Sequence, residues 1–581
     1  MSLDLSLRIP GVSRPGRQNR SGEGMTLAAL LLLGGLICGT PLVMILLEGV
    51  APTGRFSLGP LLETLQGRSV QRALWHSFET SLLSAILALV YGTALACLVG
   101  LTDARARGAF IFLILLPMMI PPHVTAIAWI QALGPGSALL LWLGIAPEIG
   151  TTHPLYSREG IVALLAIQHG PLVFLVMRAA LRSLPGELSD ASRVFGANIW
   201  LMLRRIVLPL LLPNLIAAFA LAFVSALGNF GIQALLGIPA RYTTLPVLIW
   251  RRMSSFGPEM LTDVSMISMI VGLMAVMAVG MQAHLQRRAR AQLIGLPQRS
   301  LGFRLGRWRL LVELVLLVLV CGVLVLPMLS LLATALTPTY GVRLSLSTLT
   351  GANFEEILLT QSVTLRAFMN STLIAGLAAI LLAAYSVGIG FFLIRRRGVA
   401  RRAATSMSGL ADVSYALPGL VISIACILAF IRPLPLIEMS IYNTLLIILV
   451  AYLAAFLSVA LKPVAAAYLQ IDPSLDDAAR VAGAGFGRRL SRIFLPLVAP
   501  AAASGAILVF LTAYNEVTVS ALLWSTGNET IGTTIFNYED GGYTTLAAAM
   551  SVVTVLATIV LMLVLDIAGR RAPPGVVPWR D

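Results

Sequence analysis

Apolar residues run along this chain in stretches of spanning length, and the short segments between them hold most of the Arg, Asp and Glu. An α-helix rises about 1.5 Å per residue and a bilayer's hydrocarbon core is about 30 Å thick, so one crossing takes about 20 predominantly apolar residues. Runs of that kind lie near 25–47, 76–100, 108–132, 160–182, 209–231, 264–284, 308–335, 369–394, 405–431, 440–462, 496–518 and 546–568, which predicts twelve transmembrane helices. The first run follows Arg8, Arg14, Arg17 and Arg20. It is longer than the apolar part of a secretory signal and no clean cleavage pattern follows it, so it reads as an uncleaved first span.

Composition agrees with this pattern. Of the 581 residues 58% are hydrophobic and 12% charged, which excludes a water-soluble globule. The net charge of +15 does not form a compact basic face for nucleic acid. With a cytoplasmic amino terminus, 31 of the 41 basic residues fall on the cytoplasmic side, including Arg287-Arg288, Arg395-Arg396-Arg397, Arg401-Arg402 and Arg570-Arg571. A shift of one span would reverse that bias, so orientation and span number support each other, with both termini cytoplasmic.

The chain also repeats itself. Leu188-Ser189-Asp190-Ala191-Ser192-Arg193-Val194-Phe195-Gly196, followed by Ile206-Val207-Leu208-Pro209, returns 287 residues later as Leu475-Asp476-Asp477-Ala478-Ala479-Arg480-Val481-Ala482-Gly483, followed by Ile493-Phe494-Leu495-Pro496. Arg72-Ala73 with His76-Ser77 matches Arg366-Ala367 with Asn370-Ser371. These matches define two homologous six-helix halves in the same orientation, with a pathway expected between them. The implied organisation is a tail 1–24, a first half 25–284, a basic linker 285–307, a second half 308–568 and a tail 569–581.

In each half the repeated segment lies on the cytoplasmic side between the fourth and fifth spans. Pro185 and Pro473 precede it, Ser189 or Ser474 is placed to cap a helix, and Asp190 or Asp476-Asp477 falls in the first turn, where a carboxylate complements the helix dipole. Gly196 and Gly483 are placed to end that helix. Basic residues follow, Arg204-Arg205 or Arg488-Arg489 with Arg492, and then Leu-Pro opens the next span. The pattern describes a helix-turn-helix on the inner membrane surface, offered to a partner.

Polar and ionisable groups inside spans are costly and mark candidate pathway residues. Glu516, near the outer end of the eleventh span, pairs through the repeat with Asn229, and both are expected at the cavity or its outer gate; an interhelical hydrogen bond is the equally weighted alternative. Prolines interrupt the third span of each half at Pro117, Pro121-Pro122 and Pro418, so Pro121 and Pro418 are expected to bend helices beside the path. Asp412 and His123 are weaker candidates. The outer segments 233–262 and 519–545 are expected to meet a soluble partner.

Several chemistries are excluded. Lys462 is the single lysine and does not follow a Gly-rich turn, so no Walker A loop is present. Cys38, Cys97, Cys321 and Cys426 and the five histidines show no metal or redox spacing, and no cofactor is expected on this chain.

The acid-Ala-small triplet, the six-residue step to Gly and the Ile-x-Leu-Pro beyond resemble the EAA loop of binding-protein-dependent ABC importer permeases, present here twice. Asp190-Ala191-Ser192 and Asp477-Ala478-Ala479 stand at the Glu-Ala-Ala positions; both halves carry Asp for Glu, and Ser192 replaces the second Ala. The resemblance implies an all-α polytopic membrane protein of the type I ABC importer permease (MetI-like) fold in a bacterial inner membrane. It implies that Asp190, Ala191, Ser192, Gly196, Asp477, Ala478, Ala479 and Gly483 belong to coupling helices that dock on two copies of a separate ATP-binding subunit. ATP and Mg would sit on that subunit, a periplasmic binding protein would deliver the solute, and this chain would be no enzyme. The fused form is similar to the ferric-iron importer class and to its thiamine and 2-aminoethylphosphonate relatives, with ferric iron the leading solute. The competing class is an ion-coupled secondary transporter, which predicts a mid-membrane ion site and no repeated docking helix.

Overall fold

In the computed structural model, residues 17–51, 55–148, 150–187, 192, 194–196, 198–254, 260–288, 303, 305–433, 438, 440–571, 573 and 576 are described. Among them 11 helices are long and apolar enough to cross a membrane, and a bent pair raises the number to 12. The first half contains α1 (Gly22–Val50), α2 (Arg68–Gly100), α3 (Arg107–Met119), α4 (Pro122–Leu133), α5 (Arg158–Arg182), α6 (Trp200–Leu227), α7 (Phe230–Gly237), α8 (Leu245–Met253) and α9 (Met260–Arg288). The second contains α10 (Gly306–Ala335), α11 (Ser362–Arg395), α12 (Gly398–Ala416), α13 (Gly419–Phe430), α14 (Leu445–Gln470), α15 (Ser474–Val481), α16 (Phe486–Tyr514), α17 (Ile531–Asp540) and α18 (Thr544–Gly569).

Within each half α2 packs along α5 and α6, and α11 along α14 and α16. Small residues permit the close approach that membrane helices use in place of a hydrophobic drive. A β-carbon on Gly92 of α2 would come within 2.5 Å of the Gly170 carbonyl of α5.

The first helix of each half crosses onto the other half while keeping contact with the last helix of its own. α1 packs on α11, α12, α13 and α14 as well as on α9, while α10 packs on α3 and α4 as well as on α18. The halves are therefore interlocked rather than side by side.

The repeat extends to local irregularities. Single π turns at Gly35–Gly39 in α1 and Cys321–Val325 in α10 correspond, as do Leu203–Val207 in α6 and Leu490–Phe494 in α16. Each precedes a proline by two residues: Pro41, Pro327, Pro209 and Pro496. Proline gives no N–H to the carbonyl four residues back and crowds it, and a wider turn accommodates the misfit.

Two expected spans are not continuous helices. The run 405–431 divides at Pro418 into α12 and α13, bent by 115°. The run 108–132 divides before Pro121-Pro122 into α3 and α4, and the apolar crossing element there is 122–143. Both breaks follow from proline, which removes a donor and pushes the preceding residue toward extended backbone. Lys462, expected at a span's end, lies within α14.

Candidate functional site

A cavity of about 600 Å³ lies between the halves, walled by α5, α6 and α9 of the first and by α12, α13 and α14 of the second. Asn229, Glu516 and Pro418 line it; Pro121 does not, although its neighbour Pro122 does. The proline breaks form one end of the cavity. From there it runs toward the arginine-rich face, past Val279 and Gln282 of α9, to Asp412 and Lys462. Lys462 stands eight residues before the end of α14, roughly 12 Å from that face.

Most of the wall is apolar, and two of its charges, Lys462 and Asp412, pair with each other. Lys462 Nζ lies 3.3 Å from Asp412 Oδ1, which also accepts from the Ser458 hydroxyl. Among the described residues no three His, Cys, Asp or Glu side chains converge as a metal site. His123 is fully buried and absent from the wall, whereas His169, which sequence reasoning did not single out, lines it.

Glu516 and Asn229 do the same structural job. Glu516 Oε1 and Oε2 accept the backbone N–H groups of Val519 (2.6 Å) and Ser520 (3.1 Å) where the short helix Ser520–Leu523 begins. Asn229 Oδ1 accepts from the Ile232 N–H (3.1 Å) and caps α7. Each polar side chain satisfies orphan donors at a helix start in an apolar setting. Both positions line the cavity wall, and these hydrogen bonds are local caps rather than bonds between spanning helices.

Aromatic packing closes the far end. Phe230 of α7, Trp250 of α8 and Phe536 of α17 meet with ring centroids 5.3–6.0 Å apart, above the breaks and across the two halves. The repeated dipeptides His76-Ser77 and Asn370-Ser371 hold these helices. His76 Nδ1 bonds the Thr243 carbonyl (2.9 Å) and Ser77 Oγ accepts from the Leu245 N–H (2.7 Å). Correspondingly, Asn370 Nδ2 donates to the Glu529 carbonyl (2.9 Å) and Ser371 Oγ accepts from the Ile531 N–H (2.9 Å). Both starts are thereby pinned to a spanning helix.

The repeated loops lie at the opposite, arginine-rich face. Asp190 and Ala191 fall outside the described residues; Ser192 and its counterpart Ala479 are buried, while Asp477 and Ala478 are exposed. Gly196 and Gly483 share a φ of +74°, the left-handed region that favours glycine. At Gly483 the turn is a Schellman closure: Gly483 N–H donates to the Arg480 carbonyl (3.0 Å) and Ala484 N–H to that of Ala479 (2.9 Å). No neighbouring atom would meet a β-carbon at either glycine, so backbone conformation sets the requirement. Beside them Val194, Phe195 and Val481 are 84%, 89% and 91% exposed. Ser474 is not the cap of α15; it is the first helical residue, and Asp472 Oδ1 accepts its N–H (2.8 Å). The expected Ser189 cap lies outside the described residues.

Asp476, read from sequence as a dipole partner, is a buried ion. Arg489 Nη1 reaches its Oδ1 (2.5 Å), and Arg396 Nη1 (3.1 Å) and Arg480 Nη2 (3.0 Å) reach its Oδ2. Burial alone would raise this carboxyl, but the three guanidinium groups outweigh it and hold the group below the usual carboxylate range. Glu23 of α1 completes the network, accepting from Arg396 Nη2 (2.7 Å) and Nε (3.0 Å) and from Arg489.

Two repeated, interlocked halves thus meet around an inter-half cavity, with matched loops on one face. Residues 92–291 and 386–577 match the family described as binding-protein-dependent transport system inner membrane component, and the chain belongs to that family. It is an ABC importer permease in fused two-half form. It is 24% identical to a probable ABC transporter permease protein, y4fN, of Sinorhizobium fredii, covering 89% of this chain and 90% of that one. It is also 24% identical to the ferric transport system permease protein FbpB of Actinobacillus pleuropneumoniae over 88% of this chain and 73% of that one. A probable molybdenum ABC transporter permease of Haloferax volcanii is 27% identical, covering 42% of this chain and 87% of that one.

Proposed function

We propose that this chain forms the membrane path of an importer driven by a separate ATP-binding subunit, two copies of which dock on the repeated loops at the cytoplasmic face. The observation that carries the reading is the inter-half cavity running from the proline breaks toward the face where the loops and most arginines lie. The excess of Arg there supports a cytoplasmic assignment with both termini inside. In this arrangement the structure corresponds to an inward-facing state, with the Phe230, Trp250 and Phe536 contact as the closed periplasmic side. Exposed apolar residues beside the glycine turns, Val194, Phe195 and Val481, suit insertion into a partner's cleft. Asp190, Ala191, Ser192, Gly196, Asp477, Ala478, Ala479 and Gly483 form those docking segments.

The proposed solute is ferric iron, presented by a periplasmic binding protein. A relative described as a ferric permease aligns with 88% of this chain, whereas the molybdenum relative aligns with 42%. Among the described residues the mostly apolar wall offers no iron-coordinating cluster, which fits selection by the binding protein rather than by the path. The test is ATP hydrolysis by the complete importer in liposomes, with binding protein carrying ferric iron, molybdate, 2-aminoethylphosphonate, thiamine or nothing. Stimulation by the iron-loaded protein above all others is expected. Stimulation by another loaded form reassigns the solute, and failure of any ATPase to associate removes the importer reading.

A further inference from the structure

The charged and aromatic residues that hold the second repeated loop are not repeated in the sequence of the first half. Around the second loop, Asp476, Arg489, Arg396 and Glu23 form one ionic cluster whose side chains are 8%, 4%, 11% and 22% exposed. Beneath it lies an aromatic floor: the Phe391 ring is 5.3 Å from Phe486 and 5.2 Å from Phe494, and the Arg396 guanidinium stacks 4.5 Å above Phe391. Arg395 adds a bond to the Tyr468 carbonyl (3.0 Å) at the end of α14. The first-half counterparts of Asp476 and Arg489 are Ser189 and Met202, and those of Phe494 and Tyr468 are Val207 and Leu181. None of these four carries a charge or a ring.

Both arms of the cluster lead to the cavity. Arg396 precedes α12, whose far end supplies Asp412, Tyr415 and Ala416 to the wall, and Glu23 starts α1, whose far end packs both on α13 of the second half, the source of Gly419 and Ile422, and on α9 of the first, the source of Val279 and Gln282. A rigid helix carries displacement along its axis, and a buried, fully paired ion cluster resists being pulled apart.

We infer that the second repeated loop is fastened through Asp476 to the opposite half's first helix and to the α11–α12 turn, so that its movement reaches both sides of the cavity directly. Asp476 is a positioning residue in this scheme. The inference rests on the proposed docking of an ATPase at these loops.

The experiment uses the full chain with its ATPase and binding protein in liposomes, reading solute transported per ATP hydrolysed, with thermal unfolding and ATPase co-purification on the same samples. Asp476→Asn is expected to lower transport per ATP at least fivefold with the ATPase still bound, whereas Met202→Leu at the matching first-half position changes it less than twofold. Glu23→Gln leaves the Asp476–Arg489 pair intact and serves if Asp476→Asn does not fold; at least a threefold loss is expected. Transport per ATP within twofold of the parent in Glu23→Gln, or an equal loss in Met202→Leu, overturns the inference. Absence of ATPase binding by the unmodified chain instead overturns the underlying functional reading.

Discussion

The junction where α1 enters the second half is built of buried charge, while the junction where α10 enters the first half is half-exposed and looser. In the first, Arg396 and Arg489 grip Glu23 and Asp476. In the second, Arg309 of α10 lies 3.7 Å from Asp103 and 3.5 Å from Glu313, with side chains 33% and 37% exposed at the Asp103 pair. Glu23 and Arg309 are 286 residues apart, the spacing that also relates the π turns of α1 and α10, so they hold the same place in the repeat with opposite sign. In its own half Glu23 would approach Asp103, and Arg309 would approach Arg396. Like charges placed together are costly, so the inversion disfavours the uncrossed arrangement of two otherwise similar halves.

The sharpest way to break this contrast is to strip the α1 junction of one of its buried charges. Arg489→Met installs the residue type found at position 202 and leaves Asp476 and Glu23 sharing Arg396. Removing one partner of a buried ion cluster costs about 3–5 kcal/mol, so a clear fall in the unfolding midpoint of the purified protein is expected. The pH dependence carries a sign. Because the folded Asp476 carboxyl is held below the ordinary range near ~3.9, its contribution is complete above that value and lost as pH falls through the folded one. The Arg489→Met deficit should therefore be constant between neutral pH and about pH 5 and shrink only in stronger acid. A deficit that vanishes near neutrality would contradict the buried-ion account.

A second pair of substitutions tests where the halves are alike. Ser77→Ala and Ser371→Ala each remove the acceptor of a buried backbone N–H, at Leu245 and Ile531. An unsatisfied buried donor costs about 1–3 kcal/mol, and the losses should be similar. Hydrogen exchange at the starts of α8 and α17 reads this directly. Acceleration in one helix alone would show that the anchors are not equivalent.

Much of this architecture was legible in the sequence because it is local. Apolar run length locates spans, Pro121 and Pro418 locate the breaks, and Gly196 and Gly483 at one offset mark the matched turns. Crossing of the first helices left no such trace, since one lipid-compatible helix face looks much like another and Glu23 and Arg396 stand 373 residues apart. Asp476 was read as a dipole partner because its spacing in a first turn is real; only tertiary burial turns it into an ion held by three arginines. The capping role of Glu516 was more accessible, as an acid four residues before a helical Ser520 is a local signal masked by its apolar setting.

Glu516→Asn refines the likeness at the cavity by giving the second half the cap of the first. The shorter side chain keeps one acceptor for the start of Ser520–Leu523, so stability should fall by no more than about 1 kcal/mol, the usual worth of an N-cap. Glu516→Ala should lose that whole contribution. If the two variants unfold together, capping is not what Glu516 supplies.

The smallest effect is expected where the comparison began, at α10. Arg309→Met removes a guanidinium that is one-third exposed, and Glu313 retains the Arg105 backbone N–H (2.7 Å) while Asp103 retains that of Leu305 (2.8 Å). Both carboxylates thus keep a donor and water reaches them, so neither is stranded as Asp476 would be. Exposed ion pairs are also screened by salt. The unfolding midpoint of Arg309→Met should stay inside the scatter of replicate curves, with any difference disappearing at high ionic strength, while the Arg489→Met deficit persists there. Equal and salt-resistant losses in the two variants would mean that the junctions bear the same load despite their different burial.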